Sequence, residues 1–267
     1  MNRFAVLALL AVGMTGAQAA STVALYEFNG NFDPASGVGS GASALVSVDP
    51  LAKGAFINDT VNGIARTVFR FDGAAFPSSD QGGLQFVNAD LMSPNSYSIE
   101  AYFSFDAVSG WRRIIDTRDR TEDTGFYVLN GGLQLYPSNV GQGTFGANVY
   151  NHVILSFDGS TAVAYLDGIA QSTQSTDYYS LPASNVISLF LDNTVSVAPN
   201  EYSAGKIAWA RFYDGALNAD EALAAYRSAI DFEVPSPVPE PSTYALMLAG
   251  VAAVMLVVQR RRHTALS

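Results

Sequence analysis

The side chains able to carry chemistry are few in this chain, and their spacing limits what they can do. Hydrolysis of a glycosidic bond needs two carboxyl groups about 5–5.5 Å apart for retention, or about 6.5–9.5 Å apart for inversion. Glu100 and Asp106 share one face of an alternating segment, but six residues at about 3.3 Å each set them roughly 20 Å apart. A pair assembled from different strands, such as Glu100 with Glu27, stays open. Between its two terminal segments the chain has one histidine, His152, and cysteine is absent, so thiolate chemistry is excluded. Neither a P-loop nor a dinucleotide fingerprint occurs, and Gly37 to Gly41 lacks the strand–turn–helix setting of a phosphate cradle.

Binding chemistry is better represented. A hard cation takes six to eight oxygens from carboxylates, amides and backbone carbonyls. Asp192 and Asn193, with Glu201 after a loop ending at Pro199-Asn200, form the best local oxygen cluster, and calcium is the cofactor it would take. The same residues also suit a solvated turn. Asp116, Asp119, Glu122 and Asp123 form a second acidic group, with Arg118 and Arg120 between them to offset the charge. Trp111, Tyr178, Tyr179 and Tyr202 lie in or beside predicted loops and could stack on sugar rings, whereas Trp209 falls inside a strand and reads as core.

Composition narrows the partners. The chain has 24 acidic and 14 basic residues. Setting aside Arg3, Arg260, Arg261, Arg262 and Glu240 leaves a body of net charge near −13. Such a surface repels nucleic acid and anionic lipid, and favours divalent cations or neutral, often carbohydrate, partners. With no cysteine the domain is held by burial alone, and its 16 Phe and 13 Tyr fit a packed β core.

Short alternating segments make up most of that body. Strands are expected at Val23–Phe28, Val68–Phe71, Leu84–Phe86, Tyr97–Phe105 and Arg113–Asp116. In Tyr97–Phe105, Ile99, Ala101, Phe103 and Phe105 face the core, while Ser98, Glu100, Tyr102 and Ser104 face a partly wet side. Gly125–Leu129 and Leu133–Tyr136 flank Asn130-Gly131-Gly132, a hairpin signal because Asn and Gly accept positive φ. His152–Phe157 and Thr161–Leu166 flank Asp158-Gly159 in the same way, and Asp167-Gly168 closes the second strand. Val186–Leu191 and Gly205–Tyr213 follow. One helix is expected at Ala219–Ala229, with Asn218 and Glu221 at capping-box spacing, and then a Pro-rich linker at 232–238. Many short strands without βαβ alternation predict an all-β sandwich or jelly roll.

The blocks ALYEFNGNFDPASG, FRFDG, YSIEAYFSF, YNHVILSFDGSTAVAYLDG and SAGKIAWARFYDGALNADEALAAY, in that order, resemble the laminin G-like, concanavalin A-like lectin/glucanase superfamily. The resemblance implies a β-sandwich over residues 20–231 with a lectin-like function, and makes His152 a structural strand residue. The superfamily's glucanases carry two glutamates on one strand in patterns such as E-x-D-x-E, which this chain lacks. Where the family often has an acidic residue after Gly205-Lys206-Ile207, the chain has Ala208 and Trp209.

Both ends read as addresses. Arg3, an apolar stretch from Phe4 to Val12, and Ala17-Gln18-Ala19 as an A-x-A cleavage site give a signal peptide over 1–19, leaving Ala20 or Ser21 as the mature start. Pro239-Glu240-Pro241, the apolar run 244–258 and Arg260, Arg261 and Arg262 together resemble a PEP-CTERM sorting signal over 239–262. At about 1.5 Å per residue the run spans roughly 22 Å, short for a transmembrane helix, with the arginines on the cytoplasmic side. The resemblance implies export from a Gram-negative bacterium, a transient hold in the inner membrane with the domain in the periplasm, and cutting by an exosortase. Delivery would be to the cell surface or the extracellular polysaccharide matrix. The expected function is a non-catalytic carbohydrate-binding or adhesion module; a purely structural matrix protein and a divergent glycoside hydrolase are the alternatives.

Overall fold

The computed structural model describes residues 20–73, 77–195 and 201–232. The expected signal peptide, the sorting tail with its apolar run, and all of the expected linker beyond Phe232 lie outside the described residues.

In chain order the strands are β1 (Ser21–Tyr26), β2 (Val46–Val48), β3 (Ala55–Val61), β4 (Ile64–Phe71), β5 (Gly83–Val87), β6 (Tyr97–Phe105), β7 (Trp111–Asp116), β8 (Gly125–Leu129), β9 (Gly132–Tyr136), β10 (Asn151–Phe157), β11 (Thr161–Leu166), β12 (Ile169–Ser175), β13 (Val186–Leu189) and β14 (Gly205–Asp214). The helix α1 (Ala219–Phe232) follows them. Every pairing is antiparallel, because the connections are hairpins and loops. An eight-stranded sheet runs β12-β11-β10-β6-β14-β4-β3, with β1 sharing an edge of β14 with β4. A six-stranded sheet runs β2-β5-β13-β7-β8-β9.

The core between the sheets is largely aromatic. Phe86 of the six-stranded sheet stacks on Phe212 of the eight-stranded one at 3.9 Å, and Phe71 stacks on Phe190 at 4.0 Å. On β6, Ile99, Ala101, Phe103 and Phe105 all point into this layer, as the period of two requires.

Turn chemistry sets the local pairing. Asn130 and Gly131 adopt φ of 50° and 87° and place β8 against β9 in the expected register. Asn62-Gly63 does the same for β3 and β4, and Asp167-Gly168 for β11 and β12. The sequence reading missed β2, β3 and β12, and took Asp167-Gly168 as the end of a strand when it opens a third one. It also placed the first strand late, since Phe28 sits outside β1 at φ 53°.

Helix α1 begins as its capping box dictates. Asn218 Oδ1 accepts from Glu221 N at 3.0 Å, and Glu221 Oε2 accepts from Asn218 N at 2.9 Å. It runs to Phe232, one residue into the expected linker. Among the described residues no helix is long and apolar enough to cross a membrane. Packed against β10 and β12, the helix and the turn before it cover part of the eight-stranded sheet's outer face. The expected wet side of β6 is therefore dry: all nine of its residues are buried.

Candidate functional site

On the outer face of the six-stranded sheet an ionic cluster lies beside an aromatic corner, and a β-bulge organises both. Between Arg113 and Ile115 the register of β7 against β8 shifts by one residue. Ile114 and Ile115 both enter the core, so Arg113 and Asp116, three residues apart, emerge together on the outer face. Arg113 Nη1 lies 2.6 Å from Asp116 Oδ2, and both side chains are fully buried. Asp192 Oδ1 is 3.5 Å from Arg113 Nε, and Glu201 Oε2 and Asp123 Oδ1 lie 3.4 and 3.5 Å from Nη2. The guanidinium also sits 4.6 Å above the ring of Tyr127.

The three residues expected to hold calcium do converge here. Asn193 Nδ2 donates to Asp123 Oδ1 at 2.9 Å and to Asp192 Oδ1 at 3.2 Å. What lies at their centre is Arg113, which supplies the positive charge these oxygens would otherwise seek from a metal ion. Among the described residues, no group of three or more acidic or histidine side chains is placed to hold one. In the second acidic loop, Asp116 Oδ1 accepts from the N–H groups of Arg118 and Arg120 at 3.0 and 2.8 Å, and Arg118 pairs with Glu122 at 2.7 Å. The arginines offset the acids as their spacing suggests.

Four carboxylates around one buried guanidinium leave an excess of negative charge. Burial pushes the Glu201 carboxyl up to about 7, helped by Asp192 beside it, and Arg113 only partly opposes the shift. A raised carboxyl pKa means that the folded protein keeps a proton the unfolded chain has lost. Stability from this group is therefore complete below the ordinary carboxylate range and declines as pH rises towards 7. The shift sets a ceiling near ~3 kcal/mol; solvent reaches the side chain, so about 1–2 kcal/mol is expected. Urea unfolding of Glu201→Gln should show the variant gaining that amount relative to the wild type between pH 5 and pH 8. A difference that does not change with pH would contradict this placement of the proton.

Next to the cluster, Trp111, Tyr127 and Tyr136 meet on three neighbouring strands. Their ring planes are mutually close to perpendicular, at 84°, 86° and 81°, with centroids 5.3, 5.4 and 6.4 Å apart. With Asp123 and Glu201 they line a pocket of about 150 Å³. Trp111 was expected to be a candidate aromatic beside a loop; the structure places it on β7, half-buried. Tyr178 is exposed and Tyr202 half-buried. Tyr179 is not available: it is buried, and its hydroxyl donates to the carbonyl of Gly125 at 2.9 Å. Trp209 is core, as expected.

Sequence reasoning missed Arg113 as a centre, and Tyr127 and Tyr136 altogether. Their signal was available in the alternation of the hairpin: once Asn130-Gly131 fixes the register, Tyr127 and Tyr136 fall on the face opposite Phe126 and Leu135.

The other chemical candidates are engaged elsewhere. Glu100 is wholly buried, with Oε1 2.6 Å from His152 Nε2 and Oε2 accepting from the Tyr213 hydroxyl at 2.5 Å, while Arg211 Nη1 lies 3.4 Å away. Burial alone would raise its pKa, but the hydrogen bond and field of His152, with Arg211 and Tyr213, hold it below the usual carboxylate range. None of these partners is a second carboxylate, and Asp106 is paired with Arg70 at 2.6 Å. A larger cleft of about 640 Å³ runs past Ser156, Asp158, Thr161, Tyr165 and Asp214. Its acids serve the backbone: Asp158 Oδ1 accepts from the N–H of Ser160 and Thr161, and Asp214 Oδ1 from that of Ser93.

Comparison with known proteins agrees with this architecture. Domain 4 of AbnA, a GH43 extracellular arabinanase from Geobacillus stearothermophilus, in complex with arabinotriose, superposes with a TM-score of 0.57 at 15% identity, over 78% of this chain and 98% of that one. The binding domain of botulinum neurotoxin DC, in complex with rat synaptotagmin II, gives 0.52 at 14% identity, over 78% of this chain and 52% of that one. A structure of botulinum neurotoxin type C, described in connection with its interaction with two ganglioside molecules, gives 0.53 at 13% identity over 78% and 51%. The chain thus spans about half the length of those toxin chains. At such identities the likeness is one of fold. No curated protein matches the chain by sequence. The family model for the concanavalin A-like lectin/glucanases superfamily matches residues 78–222, and the PEP-CTERM protein-sorting motif matches residues 237–262. The two-sheet sandwich and these matches together identify the chain as a member of the concanavalin A-like lectin/glucanases superfamily that carries a PEP-CTERM sorting motif.

Proposed function

We propose that this protein is an exported, non-catalytic carbohydrate-binding or adhesion module of the cell envelope or extracellular polysaccharide matrix. An exosortase would cut it at Pro239-Glu240-Pro241 after its passage across the inner membrane. The observation that carries the non-catalytic part is the fate of Glu100: the carboxylate best placed by sequence for hydrolysis is buried in a closed network with His152, Arg211 and Tyr213. A general acid has to reach the glycosidic oxygen, and this one is wholly buried. Support for binding comes from the aromatic pocket on the six-stranded sheet, and from the likeness to a domain described in complex with arabinotriose. Aromatic faces beside carboxylates offer a sugar both stacking and hydroxyl acceptors.

The test is retention on a panel of insoluble polysaccharides, with and without calcium. The protein should be retained on at least one and release no reducing sugar. Turnover would favour a hydrolase, and saturable binding to nothing would favour a structural matrix role. Sorting has its own test: changing Pro239, Glu240 and Pro241 to alanine should leave the protein membrane-bound and longer by the mass of the tail. Normal release would contradict exosortase processing.

A further inference from the structure

The pocket at Trp111 has a feature that a platform for neutral sugars does not need. Stacking on a sugar ring calls for one flat, open aromatic face. Here three rings meet edge to face, at 84°, 86° and 81° to one another, so no single flat face is presented. The carboxyl groups of Asp123 and Glu201 complete the lining. Ring faces carry negative quadrupolar charge, and several set at right angles around one point stabilise a compact cation from several directions. The Asp123 carboxylate beside them adds Coulomb attraction in a partly desolvated setting.

The protein already holds one cation in this way, since Arg113 lies over the Tyr127 ring. That guanidinium pairs with Asp116, lies 3.4 and 3.5 Å from Glu201 and Asp123, and is not part of the pocket lining, while Trp111 and Tyr136 are half-buried there. Asp123 remains half-exposed, with its Oδ1 already taking the Asn193 amide. A body charge near −13 adds a field that draws cations and repels uronic acids.

We infer that the corner formed by Trp111, Tyr127 and Tyr136, with Asp123 and Glu201, binds an alkylammonium cation. The ammonium group of an amine-bearing glycan and a quaternary ammonium headgroup share this chemistry. The glycan source rests on the function proposed above, but the cation site does not. A polymer of free amino sugars would meet the pocket at each unsubstituted nitrogen, whereas N-acetylation removes the charge.

The experiment is a titration of the full chain with glucosamine hexamer, its fully N-acetylated counterpart and tetramethylammonium chloride, followed by calorimetry and tryptophan emission. The hexamer is expected to bind at least about tenfold more tightly than the acetylated form, a margin of the size a desolvated cation–π contact provides. Trp111→Ala and Tyr136→Ala should each weaken hexamer binding about tenfold or more, and Asp123→Asn severalfold. Because Asp123 is half-exposed, that variant tests the site even if the aromatic variants lose their fold. Tetramethylammonium binding at the same residues would show that the headgroup suffices; a response to the hexamer alone would assign the glycan source. Equal binding of the acetylated hexamer, undiminished binding by Asp123→Asn, or no response to either amine would overturn the cation site. Retention on neutral polysaccharides in that last case would leave the glycan-binding proposal standing by itself.

Discussion

Arg113→Met is expected to destabilise the protein by roughly 3–5 kcal/mol, the range found when one partner of a buried ionic group is removed. Asp116 and Asp192 are fully buried, and Glu201 partly so, around a guanidinium that is itself inaccessible to solvent. Methionine fills much of the volume but supplies no charge, so the carboxylates are left facing one another. Burial already pushes the Asp116 carboxyl above the usual carboxylate range, against the pull of Arg113 and of the N–H groups of Arg118 and Arg120. Without Arg113 these acids can relax by taking up protons. The loss should therefore be largest near pH 8 and shrink as pH falls towards 5. Urea unfolding of the purified wild type and variant at both pH values measures this. A loss below about 1 kcal/mol, the worth of a surface ion pair, would mean that the cluster is solvated and that Arg113 does not hold it together.

A second large effect is expected under helix α1. Glu100→Leu should cost roughly 3–5 kcal/mol, because it strands the buried His152, the hydroxyl of Tyr213 and one face of Arg211 without their acceptor. Removing both members of the central pair leaves fewer unsatisfied groups. The double variant Glu100→Leu with His152→Leu should thus be less destabilised than the sum of the single changes, and a double-mutant cycle reads that coupling directly. The pH dependence runs opposite to that of Glu201. With its pKa held down, Glu100 contributes fully above the ordinary carboxylate range, and the contribution is lost as pH falls below it, since the unfolded chain takes up the proton first. Polysaccharide retention should be unchanged in whichever Glu100 variant stays folded. Additive single changes, or loss of retention in a folded variant, would argue against a purely structural network.

How much of this was legible beforehand varies by element. Tyr97–Phe105 was readable to the residue because its nine positions alternate without a break, and the Asn218–Glu221 capping box announced its helix. The short edge strand Val46–Val48 was not readable, having three residues and an exposed pattern that offers no period to detect. Val61-Asn62-Gly63-Ile64 carries the same turn signal as Asn130-Gly131, but β3 before it mixes polar and apolar residues without clean alternation. The sequence groups Asp192, Asn193 and Glu201 by their oxygens and suggests calcium as their counter-charge. That they surround an arginine some eighty residues earlier in the chain could not be read from local composition.

By itself the sequence determined the class of this protein: that it carries a sorting motif, that a cysteine-free acidic body packs as two antiparallel sheets, and that the Asn130-Gly131 and Asp158-Gly159 turns fold strands back on themselves. These follow from interactions between residues close in the chain, where period and turn chemistry act over a few positions. Only the tertiary structure decided which side chains meet. A one-residue bulge at Ile114 sets Arg113 and Asp116 on the same face, and three separate strands bring Trp111, Tyr127 and Tyr136 to one corner. The physical reason is that a strand's face is fixed by its register with its neighbours, and register across a whole sheet is set by the packing of all its members at once.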